Sequence, residues 1–292
     1  MVTRRDFMHG LATAGLAGLR WRGFEQMASA TEPGGGMQFG LVTYQWGKDM
    51  DLPTLIDVCE KAGLAGLELR TEHAHKVEPT LSKAEREEVR QRFADSPVTL
   101  VGYGSNAEFH SPDRAEVQRN IELAKQYVQL MHDCGGSGVK VKPNNLPDDV
   151  PPEKTITQIG KALNVVGAYA EGFGQQIRVE AHGRRTAELP VMKAIFDVVD
   201  HPNVGICWNC NKVDLEGGGL EHNFQLVQDR LGATVHIHDL TTDLYPHAKF
   251  LKMLMAIDYN GWLLLEDGGN PDDKLKALTE QRILFERLTK SV

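Results

Sequence analysis

The chain has 292 residues, 41% of them hydrophobic, and a formal charge of −8, which is enough to bury a full core as one barrel-sized domain or two small ones. The acidic balance argues against nucleic acid as a partner, because phosphate recognition gathers lysine and arginine on one face. No run reaches the ~18 apolar residues of a membrane span, and Cys59, Cys134, Cys207 and Cys210 are too few for a disulfide scaffold.

Residues 1–30 read as an address rather than as part of the fold. Thr3-Arg4-Arg5-Asp6-Phe7-Met8 looks like a twin-arginine export motif. A weakly apolar stretch from Leu11 to Leu19 follows it, then Arg20 and Arg22, and Ala28-Ser29-Ala30 offers small residues for cleavage. The expectation is a signal peptide and a periplasmic or other extracytoplasmic destination. The alternative is an N-terminus with two chance arginines.

From Met37 onward β-like and helical segments alternate without a low-complexity break. The pattern predicts a strand over 38–44 and a helix from 51 or 52 to 62, with Leu52, Leu55, Ile56, Val58 and Cys59 at helical spacing. A strand over 66–70 and a helix over 82–95 come next. Ser82 with Glu85 three residues on is a capping-box pattern. Then follow a strand over 98–103, a helix over 114–134, a strand over 139–142, a proline-rich loop from Pro143 to Pro152 and a helix over 155–172. The second half predicts strands over 176–180, 204–208, 234–238 and 262–266. Helices are predicted over 187–199, 221–231 and 248–257, and a last one from 272 or 274. Eight strand-then-helix units over residues 37–292 match a single (β/α)8 TIM barrel. A doubly wound sheet would often show a Gly-rich nucleotide turn after its first strand, and Gln45-Trp46-Gly47-Lys48-Asp49 is none.

Four polar residues stand where apolar strands run out: Glu180, Asn209, His236 and Glu266. Alternation along a strand puts Arg178, Glu180 and His182 on one face, and likewise Cys207 with Asn209, His236 with His238, and Leu264 with Glu266. If those faces point inward, two carboxylates, an imidazole and an amide oxygen converge at the carboxyl end of the barrel. There they could hold one divalent cation (Mn, Co, Mg or Zn). Each residue alone is equally a satisfied polar group at a barrel rim; four in order on strands five to eight are harder to dismiss. Cys207-Trp208-Asn209-Cys210 matches C-x-x-C but sits at a strand end, which disfavours redox chemistry.

These residues and their order resemble the sugar isomerase/epimerase superfamily of xylose-isomerase-like TIM barrels across residues 37–292. The resemblance implies Glu180 and Glu266 as paired acid/base groups, and Glu180, Asn209, His236 and Glu266 as ligands of one divalent metal. Asn209 falls where the family has Asp, and Lys212 stands where it often has His. The resemblance further implies an isomerase or epimerase that removes a proton next to a carbonyl through an enediolate. A lyase on keto-glycosides, using the same deprotonation followed by β-elimination, is the alternative. The expected partner is a small-molecule carbohydrate, with a homo-oligomer as a further expectation.

Substrate contacts are expected from His182, Lys142, His238, His110 and Glu68, although Glu68 could equally pair with Arg70. Lys140 shares a face with Lys142 and could bind substrate oxygens or snorkel. Glu108 and Asn106 could line the mouth. Tyr44 and Trp46 could wall a sugar ring, with core packing expected for at least one of them. The related apurinic endonucleases need three zincs, which Asn209, Lys212 and the acidic charge disfavour. A non-catalytic carbohydrate-binding barrel would not need two opposed glutamates.

Overall fold

The computed structural model describes residues 36–290; the export motif lies outside them. The elements run β1 (Gln38–Val42), α1 (Leu52–Ala62), β2 (Gly66–Arg70), α2 (Lys83–Ala94), β3 (Thr99–Glu108), α3 (Arg114–Cys134), β4 (Gly138–Lys142) and α4 (Pro152–Glu171). Then come β5 (Gln176–Glu180), α5 (Leu189–Phe196), β6 (Val204–Asn209), α6 (Gly219–Val227), β7 (Leu231–Ile237), α7 (His247–Ala256), β8 (Trp262–Leu265) and α8 (Lys274–Lys290). All eight strands are parallel, each pairs with its neighbours in sequence, and β1 pairs β8 to close the ring. Among the described residues no helix is long and apolar enough to cross a membrane.

Local chemistry sets the helix ends. Asp51 caps α1 by accepting from the Thr54 N–H at 2.9 Å, and Gly63 ends the helix in the left-handed region. Ser82 and Glu85 form the capping box expected from their spacing. The main core fills the space between strands and helices, with Leu55, Cys59, Val128, Met131, Leu163 and Ile195 buried. Inside the ring, Val42, Val101, Trp262 and Leu264 make a separate apolar floor. Arg178 of β5 is buried inside the ring and reaches past β4, donating to the Val101 carbonyl at 2.9 Å and to Ser137 Oγ at 2.8 Å.

Two segments differ from the sequence expectation. Strand β3 continues to Glu108 rather than stopping at Tyr103, because pairing with β4 carries it through Gly104, Ser105 and Asn106, residues whose types suggest a turn. Leu231 continues the helical spacing of α6 but opens β7, where it pairs with Ile206 of β6; tertiary pairing overrides the local pattern.

Beyond the ends of β4 and β5 lies a second, two-residue parallel ladder, Asn144–Asn145 with Gly183–Arg184. Gly183 has φ +93° there, and a Cβ on it would fall 2.0 Å from the Asn144 carbonyl oxygen. Only glycine fits that crossing.

Candidate active site

The inward faces of β2, β4, β5, β6 and β7, with the residue just after β8, bring Glu68, Lys140, Glu180, Asn209, His236 and Glu266 together in a buried cluster. Glu180 Oε2 accepts from Lys140 Nζ at 2.5 Å, and its Oε1 accepts from Asn209 Nδ2 at 2.8 Å. Glu266 Oε1 pairs with Arg70 Nη1 at 2.9 Å, and its Oε2 lies 2.9 Å from His236 Nδ1. The other imidazole nitrogen, Nε2, is 3.1 Å from Glu68 Oε1. Glycine makes room for this packing: a Cβ at Gly104 would sit 3.0 Å from Arg70 Cγ, 3.2 Å from Lys140 Cε and 3.4 Å from Glu68 Oε1.

The charges are mutually supporting. Burial alone would raise the Glu266 carboxyl, but His236, Lys140 and Arg70 hold it well below the usual range. Burial likewise raises Glu180, and Lys140 together with His236 and His182 outweighs it and lowers the carboxyl. Burial works against a charge on His236, while Cys207, Glu266 and Glu68 favour one and prevail. Lys140 loses to burial and regains more from Glu180 and Glu266. Lys142, 8% exposed, is lowered by burial and by Lys140.

The donor set fits a divalent cation. Ligand atoms of Glu180, His236 and Glu266 all lie within 4.8 Å of one another. Asn209 Oδ1 is buried with no hydrogen-bond partner, which leaves its lone pairs available to a cation. His236 turns Nε2 to Glu68 and leaves Nδ1 facing Glu266 and Glu180, 4.0 Å from Glu180 Oε1. That is the carboxylate–histidine arrangement that fixes the ring of a metal ligand. Hard oxygen and imidazole donors suit Mn, Co, Mg or Zn alike.

Other sequence expectations resolve differently. Glu68 does not pair with Arg70: it is fully buried on His236, and Arg70 reaches Glu266 instead. Lys140 does not snorkel but lies wholly inside the barrel. His182 is half-buried, with Nδ1 2.8 Å from Asn144 Oδ1, and His238 Nδ1 is 2.7 Å from the Glu266 carbonyl. His110 sits 3.8 Å from Glu108, away from the carboxylates' direct partners, and Asn106 is exposed. Trp46 is buried, whereas Tyr44 is half-buried with the Arg70 guanidinium 5.0 Å over its ring. Lys212 is exposed in a 3-10 turn, and Cys207 and Cys210 are both free thiols. Sequence reasoning missed the Arg70–Glu266 and Lys140–Glu180 pairs. Only the inward alternation of Arg70 with Glu68, and of Lys140 with Lys142, could have signalled them.

A closed parallel ring with a Glu–His–Glu group inside the carboxyl ends of its strands defines an α/β barrel with its reactive end at that rim. The chain belongs to the xylose isomerase-like TIM barrel family, whose profile matches residues 56–286. Among solved structures it is similar to the 3-keto-D-glucoside 4-epimerase of E. coli, with 15% identity and TM-score 0.71 over 86% of this chain and 99% of that one. It is also similar to the D-psicose 3-epimerase of Clostridium cellulolyticum H10, solved with D-tagatose (16% identity, TM-score 0.71, 88% and 99% covered). A third is the IOLI protein with a bound zinc atom (15% identity, TM-score 0.72, 87% and 98% covered). A search by sequence among curated proteins finds no match.

Proposed function

We propose that the protein is a divalent-metal-dependent sugar isomerase or epimerase that works by proton abstraction next to a carbonyl. The observation that carries this reading is the convergence of Glu180 and Glu266, from β5 and the end of β8, on the same imidazole nitrogen of His236. Glu180, Asn209, His236 and Glu266 would hold the metal, which supplies Lewis-acid polarisation of the substrate carbonyl. Either glutamate takes the carbon-bound proton, and the other returns one on the opposite face or at the adjacent carbon. Arg70 and Lys140 keep the two carboxylates ionised and aimed. Glu68 orients His236, while Lys142, His182 and His238 stand near the cluster as substrate contacts, with His110 further out. The epimerase neighbours act on ketoses or keto-glucosides, which supports a free or oxidised saccharide as the substrate class.

The same proposal includes export of the barrel through the twin-arginine pathway under the direction of residues 1–30. Replacing Arg4 and Arg5 by lysine should leave the protein in the cytoplasmic fraction, and unchanged fractionation would remove this part.

Incubation with ketohexoses and 3-keto-glycosides in deuterated water, with and without chelator, tests the reaction. Metal-dependent deuterium on carbon in a recovered, rearranged sugar is the expected result. Release of aglycone would make the enzyme a lyase. Sugar binding without exchange, indifferent to chelator, would make it a binding barrel.

A further inference from the structure

Lys140 stands out among the cluster because a full cation sits on one of the two oxygens of Glu180, a proposed metal ligand. Its side chain is completely buried, and its Nζ lies 2.5 Å from Glu180 Oε2. No other carboxylate lies within 4.0 Å of that ammonium among the described residues. The other oxygen of Glu180 is taken by Asn209 Nδ2 at 2.8 Å. Room for the lysine is built into the next strand, where a Cβ at Gly104 would press on its Cε at 3.2 Å.

The charges point the same way. Glu68, Glu180 and Glu266 are three carboxylates, and Lys140, Arg70 and Arg178 are three permanent cations inside the same ring. Asn209 adds no negative charge to them. A dication entering this cluster meets carboxylates that are already compensated, and it must displace an ammonium from Glu180 to use both of its oxygens.

We infer that Lys140 is a resident cation that competes with a divalent metal for Glu180, so that this protein exchanges its metal readily instead of holding it permanently. The inference rests on the metal-dependent reading above and concerns binding strength, not turnover. Lys140 acts through Glu180 and is a positioning residue.

Calorimetric titration with MnCl2 and ZnCl2 of the metal-stripped wild type, Lys140→Met, Lys140→Gln and Asn209→Asp tests it, together with the melting temperature of each with and without metal. The wild type should bind weakly and exchange its metal within the time of a chelator challenge. Lys140→Met and Lys140→Gln should each bind Mn2+ at least ~10-fold more tightly and gain more thermal stability from it, because removing a buried cation favours a second one. A variant that folds only when Mn2+ is present gives the same answer. Lys140 variants that fold and bind Mn2+ no tighter than the wild type overturn the inference. If Asn209→Asp gains affinity in that case, the metal site stands and only the role of Lys140 falls. If no variant and no wild-type sample binds either metal, both readings fall together.

Discussion

The bond between Glu68 and His236 gives the sharpest test of how His236, the proposed metal ligand, is oriented. Both side chains are completely buried, and Nε2 lies 3.1 Å from Oε1. A buried hydrogen bond to a charged group is worth about 1.5–3 kcal/mol, which corresponds to roughly 10–100-fold in an equilibrium constant. Measured losses on removing partners of ligating histidines cover about the same range. Glu68→Gln keeps an acceptor but loses the charge, and should weaken Mn2+ binding by about tenfold. Glu68→Leu leaves the ring unheld, and should cost nearer a hundredfold. Calorimetric titration gives the affinities, and circular dichroism with the melting temperature separates a loosened ligand from a loosened barrel. A folded Glu68→Leu protein that binds within twofold of wild type would show that His236 is not oriented from β2.

Three further outcomes are expected. Glu180→Gln and Glu266→Gln should each lower turnover by about 10²–10⁴-fold and abolish solvent-deuterium incorporation in the sugar; Glu180→Gln, which strips the buried Lys140 of its carboxylate, should also lose about 3–5 kcal/mol of stability, so turnover is compared where circular dichroism shows each variant folded. Gly104→Ala must push Arg70 and Lys140 by a few tenths of an ångström; stability should fall by no more than ~1–3 kcal/mol, but turnover should drop more than tenfold, as read by parallel denaturation and kinetic measurements. Burial lifts the Asp214 carboxyl to about 7, against hydrogen bonds from the Asn211 N–H and Tyr245 that favour ionisation. With an unfolded value near ~3.9, the stability this group contributes is complete below pH ~4 and is lost as pH rises through about 7. The loss is at most about 4 kcal/mol, and Asp214→Asn should flatten that part of the stability–pH curve measured by urea unfolding.

The fold was legible because short apolar strand-like runs alternate with segments of helical spacing, and some helices carry clear end signals. Asp51 and Gly63 bracket α1, and Ser82 with Glu85 opens α2, as their spacing requires. The converging face was legible too, since alternation alone puts Glu180 with Arg178 and Glu266 with Leu264. The partners of those residues were not. Arg70 meets Glu266 across 196 positions of chain, and His236 meets Glu68 across 168. Such pairings depend on ring closure between β8 and β1, which no local pattern encodes. Sequence proximity favoured Glu68 with Arg70, but both side chains stand on one strand and reach across the barrel to different partners. Gly104 lay just past the strand expected over 98–103 and drew no reading from the sequence, whereas in the fold it leaves space beside Arg70, Lys140 and Glu68.

The short ladder between 144–145 and 183–184 has a consequence for how the rim can adapt. Backbone pairing, the Gly183 crossing and the Asn144–His182 contact weld the segments after β4 and β5 into one strap. Lys142 and His182 sit at its two roots, so a backbone shift in one segment is transmitted to the other. The connections after β1, β2 and β8 share no such ladder among the described residues, so the rim is braced by strand pairing on one side only.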